Sequence, residues 1–70
     1  NPAKNELNLH VDGTTISAYE IIDIQGRVVL ASDVKNVVLA KVNCSTLKAG
    51  TYIVKTTTPY GVAQKSIVIE

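Results

Sequence analysis

Tyr19-Glu20-Ile21-Ile22-Asp23-Ile24-Gln25-Gly26-Arg27-Val28-Val29-Leu30 decides the fold. Two apolar, β-branched runs flank a four-residue break. Asp suits the first position of a type I turn, where its carboxylate can accept bonds from nearby backbone N–H groups. Gly suits the fourth, where a left-handed residue makes a bulge before the returning strand. The stretch therefore predicts a hairpin, with strands over Ile16 to Ile24 and Arg27 to Ser32 and a turn at Asp23–Gly26. The first strand is nearly apolar on both faces from Tyr19, the pattern of a strand covered on both sides or central in its sheet.

The rest of the chain agrees with that stretch. It contains ten Val, seven Ile and seven Thr among 70 residues, against five Leu and no Met, Phe or Trp. Stiff β-branched side chains favour pleated sheet over helix. Glu6 to Val11 alternates, with Leu7, Leu9 and Val11 on one face and Asn8, His10 and Asp12 on the other. That is the pattern of a half-buried strand. Asp33 to Lys35 reads as a connection, and Asn36 to Val42 as a further strand. Thr51 to Thr58 and Val62 to Ile69 close the chain around Thr58-Pro59-Tyr60-Gly61. There Pro59 pre-sets its φ, and Gly61 repeats the arrangement at Gly26. About six to seven short strands joined by tight turns predict a small immunoglobulin-like antiparallel β-sandwich, with a small barrel as the other arrangement.

Leu47-Lys48-Ala49-Gly50-Thr51-Tyr52 favours the sandwich. A Tyr near the start of a late strand can pack at a corner, its hydroxyl bonded to backbone a few residues upstream. Leu47 would fill the adjacent core, and Gly50 would turn the chain with a positive φ.

Size and charge bound the function. Seventy residues hold one domain, and the opening Asn1 leads to the expectation of a piece excised from a longer protein, without an N-terminal targeting sequence. Seven basic residues face six acidic ones, and they are spread singly rather than clustered, which argues against a nucleic-acid partner. Catalysis needs a nucleophile or an acid–base pair held by oriented neighbours. The single histidine, His10, sits on an outward strand face, and the single cysteine, Cys44, lies in a loop without a paired motif. His10 and Asp12 are two potential ligands, too few for a metal. No cofactor motif is present, and the expectation is a non-enzymatic domain. Arg27, beside the hairpin turn, is either a binding residue or a hairpin-edge charge.

The ordered set of Asn1-Pro2-Ala3, the Tyr19–Val29 stretch, Leu47–Lys55 and Lys65-x-Ile67-Val68-Ile69 resembles the type A C-terminal sorting domain of type IX (Por) secretion cargo. Members of that family end Gram-negative surface and secreted proteins, including proteases and adhesins. The resemblance implies an immunoglobulin-like fold and a cargo linked upstream. It implies that the cargo crosses the inner membrane on an N-terminal signal peptide and waits in the periplasm. The outer-membrane translocation machinery then recognises the domain. A sortase-like protease removes it as the cargo is anchored at the cell surface, and the cleavage site lies ahead of the domain. By position, Gly26 and Arg27 match the family's D-x-x-G-R turn, Gly50 and Tyr52 its G-x-Y motif, and Lys65 its late lysine. Glu70 stands where the family frequently has a basic residue.

A final strand also offers an edge that a receptor strand could pair with, and Lys65 among Ala63, Ile67 and Ile69 would blunt self-pairing. The competing reading is an accessory sandwich module that binds carbohydrate or protein for a parent enzyme.

Overall fold

The structure, a computed structural model, describes residues 2, 3 and 6–70, with side chains from residue 6 on. Asn1, which opens the family-like motif, lies outside the described residues. The described residues form seven strands and no helix: β1 (Pro2–Ala3), β2 (Glu6–Leu9), β3 (Ile16–Asp23), β4 (Val28–Val37), β5 (Ala40–Asn43), β6 (Gly50–Thr58) and β7 (Gly61–Ile69). Five of them make one sheet in the order β1-β7-β6-β3-β4, and β2 pairs with β5 in a second.

The two sheets meet through one apolar core. From the small sheet come Leu7, Leu9, Ala40 and Val42, and from the large sheet Ile16, Ile21, Tyr52, Val54, Ile67 and Ile69. Alternation explains the selection. Leu7 pairs with Val42 and Leu9 with Ala40, so one face of the small sheet is apolar throughout. On the large sheet Ile21 pairs with Val54, and Tyr52 with Ile67, so the same face is apolar across three strands. Cys44 is fully buried in this core. The result is the all-β sandwich expected from the sequence.

Three local readings are corrected. Beside the antiparallel pairs, β1 runs parallel to β7. Pro2–Ala3 thus forms a strand of its own ahead of the expected first one. Asp33 to Lys35 is not a connection but part of β4, which spans ten residues. The expected strand over Asn36 to Val42 is split between β4 and β5. The chain changes sheets at Val38 and Leu39, both exposed, just after Asn36 takes a positive φ of 50°. Asn tolerates that conformation better than other non-glycine residues. An apolar run therefore reads as one strand although its middle is the crossover. As one of the two readings of its apolar run had it, β3 lies inside its sheet, between β6 and β4, and among the described residues no second layer covers its outer face. Ile22 is half-buried there, and its register partners Val28 and Ile53 are 52% and 37% exposed.

Candidate functional site

The β3–β4 turn is built around one carboxylate. The Gly26 N–H donates to the Asp23 carbonyl at 3.0 Å, and the Asp23 N–H to the Arg27 carbonyl at 2.9 Å. Asp23 Oδ1 accepts from the Gln25 and Arg27 N–H groups, each at 2.9 Å, and Oδ2 accepts from Arg27 Nε at 2.9 Å. These bonds favour the ionised form. The Arg27 backbone N–H has the largest effect, ahead of the Arg27 side chain, the Gln25 N–H and the guanidinium charge. Together they outweigh partial burial and hold the Asp23 carboxyl below its usual value of 3.8. Gly26 has a φ of 87°, with open space where a Cβ would stand. Its requirement is conformational, not steric.

Tyr52 forms the anticipated corner. Its ring is buried, and its hydroxyl donates to the Lys48 carbonyl at 2.7 Å. Leu47 packs against the core, and Gly50 opens β6 with a φ of 154°. The two motifs are far apart in sequence yet meet in space, because Asp23 pairs directly with Tyr52 across β3 and β6. Between them lies a shallow depression of about 230 Å³ whose wall includes Asp23, Arg27, Gly50 and Tyr52. The Arg27 side chain is 73% exposed, against 14% for Asp23, so the carboxylate is turned into the turn while the arginine stands at the surface.

Lys65 stands apart from this cluster. It pairs with Val54, on the side of β6 away from β3. Alternation puts it on the core-facing side with Ile67 and Ile69, where it lines a groove of about 410 Å³ between β2 and β7. The sequence reading missed this groove. His10 and Asp12, 3.4 Å apart, stand on its β2 side as an exposed pair. Gly61 begins β7, and the Thr58 hydroxyl ties that turn together. It donates to the Gly61 carbonyl at 3.1 Å and accepts from the Tyr60 N–H at 3.1 Å. The edge expected along the C-terminal strand is covered at its end, where Val68 and Ile69 pair with β1. The outer side of β7 is unpaired only before them, among the described residues.

No group of three His, Cys, Asp or Glu is placed to hold a metal among the described residues. His10 is half exposed at the groove, whereas Cys44 is buried in the core. What the arrangement offers is a surface: a motif cluster at one end of the large sheet, and a groove along its far strand.

No curated protein and no solved structure matches the chain. A family does: the sequence matches the secretion system C-terminal sorting domain over residues 1–70, the whole of it. With its all-β sandwich, its Asp23–Arg27 turn and its Gly50–Tyr52 corner, the chain belongs to the C-terminal sorting domains of type IX secretion.

Proposed function

We propose that this domain acts as a folded, non-catalytic address. It is read in the periplasm by the outer-membrane translocation machinery and then removed by a sortase-like protease as the cargo reaches the surface. The family match over residues 1–70 carries the reading, since it supports a type IX sorting signal and an attached cargo. The convergence of two separate motifs supports recognition of a folded shape. Asp23 to Arg27 and Gly50 to Tyr52 adjoin only when β3 and β6 are paired. A receptor that reads Arg27 beside the corner therefore reads the native state. Gly26, Gly50 and Tyr52 shape that surface, Arg27 projects from it, and Lys65 is a contact on the groove side. Gly61 and Asp23 set turns.

The test is a fusion of residues 1–70 to a periplasmic reporter in a host with this secretion system. Delivery to the surface or medium is expected. A reporter that stays folded and stable in the periplasm would overturn the reading.

A further inference from the structure

β1 is only two residues long, and its direction is informative. It runs parallel to β7, with Pro2 opposite Val68 and Ala3 opposite Ile69. The next described strand after β1 is β2, which belongs to the other sheet. A strand continued ahead of Pro2 in the same direction and register would run beside Ile67, Ser66 and Lys65.

That part of β7 is ready for a strand. From Gly61 to Ile67 its outer side pairs with nothing among the described residues. Its register against β6 runs from Thr58↔Gly61 to Gly50↔Ile69 without a shift. A regular edge presents evenly spaced donors and acceptors that an added strand can satisfy. The groove between β2 and β7 lies beside this edge, and Leu9, Val54 and Ile67 line it. Side chains alternate across a strand, so every second residue of an added strand would enter that groove.

We infer that the segment immediately preceding Asn1 in the cargo precursor continues β1 as a parallel strand along the outer edge of β7, from Ile67 toward Gly61, with alternate side chains filling the groove. This rests on the sorting-domain reading, because a C-terminal sorting domain has its cargo on the N-terminal side. Two features favour this occupant over a strand from another protein. β1 already fixes its direction and register. It is also tethered, so it pairs at the effective concentration of an intramolecular partner, about millimolar for a short flexible linker.

Hydrogen exchange on the intact cargo precursor, resolved by peptide, tests the inference. The comparison variant carries prolines at alternate positions over the roughly seven residues ahead of Asn1, which removes backbone donors without touching the domain. In the native precursor, the linker amides and the outward amides of Gly61 to Ile67 should exchange about tenfold or more slowly than unstructured chain. The variant should lose the protection of those β7 amides while β3 and β6 stay protected. Linker amides that exchange at unstructured rates in the native precursor would overturn the inference. So would a β7 edge that becomes protected only when outer-membrane components are added, since the occupant would then be a strand from outside. The sorting reading fails separately. A precursor retained in the periplasm with a protected linker sinks that reading alone, and normal delivery with an unprotected linker sinks this one alone.

Discussion

β4 reaches its outer edge through two register shifts against β3, one between Ile16 and Ala18 and one between Ile21 and Ile22, whereas β7 runs its nine residues against β6 with none. Bulges add twist and break the even spacing of backbone groups, so β4 is a poor template for another strand. Exposed Asp33 and Lys35 add charge along it. β7 has neither bulge, and its protection is of another kind: β1 covers Val68 and Ile69, and Lys65 points a charge into the groove. One edge is closed by its own geometry. The other is regular, with β1 across its end and a lysine on its groove side.

The largest contrast should appear on truncating one side chain of each edge strand. Ile69 is buried at the point where β7 meets both β6 and β1. Ile69→Ala should cost about 2–5 kcal/mol, a large share of the stability of a domain this small. Leu30 on β4 is only partly buried against the core, and Leu30→Ala should cost about 1 kcal/mol. Urea melts of both variants check the order. Equal losses would mean that the two edges contribute alike and that the asymmetry is confined to register.

Tyr52→Phe comes next. It removes the bond to the Lys48 carbonyl but keeps the ring in the core. A loss of about 0.5–1.5 kcal/mol is expected, which lowers the melting temperature by several degrees at about 4–8 °C per kcal/mol for this size. Secretion should fall only as far as the domain unfolds. Failed sorting at an unchanged melting temperature would turn Tyr52 from a corner into a contact.

These cases mark what could be read in the sequence. The Asp23–Gly26 turn and the Tyr52 corner were legible because each closes within four residues, where turn chemistry decides the geometry. β1 was not, because two residues carry no periodicity and their pairing depends on a partner at the other end of the chain. Val37 to Ala40 misled because β-branched and apolar residues fit a strand locally. Only the need to reach the second sheet makes Val38 and Leu39 a crossover. The apolar run from Tyr19 allowed two readings, and the one that placed β3 inside its sheet holds, between β6 and β4. The pairing of Asp23 with Tyr52 required knowing that β3 and β6 are neighbours. The groove beside Lys65 required both sheets in place.

Acid should act on the motif end of the sheet through Asp23. The Asp23 carboxyl titrates lower in the folded chain than its usual 3.8, held down mainly by the Arg27 N–H. A depressed folded value means stability that is present above the unfolded value and is lost as pH falls through the folded one. Asp23 thus stabilises fully at neutral pH, and its contribution declines below about pH 3.8. Asp23→Asn should flatten that part of the acid limb, measured by melts between about pH 5 and 2. An unchanged acid limb would show that the Asp23 bonds are no tighter than those of the unfolded chain to water.

The smallest expected change in stability is the most informative about β7. Lys65 pairs with Val54 and lines the groove, but its side chain is exposed. Lys65→Ala should alter stability by about 0.5 kcal/mol or less. It should do two other things. Without the inward charge, the regular edge loses its guard, and the domain should self-associate more readily in sedimentation. If the translocation machinery touches the groove side, sorting should also drop at a nearly constant melting temperature. Lys35→Ala, on β4, is the matched control: a charge is lost there too, but the register shifts remain, and neither change should follow. If Lys65→Ala stays monomeric and is secreted normally, Lys65 is neither guard nor contact, and the protection of β7 must come from β1 and the strand that continues it. If it associates yet is secreted normally, Lys65 is a solubility residue, and recognition belongs to Arg27 and the corner at the other side of β6.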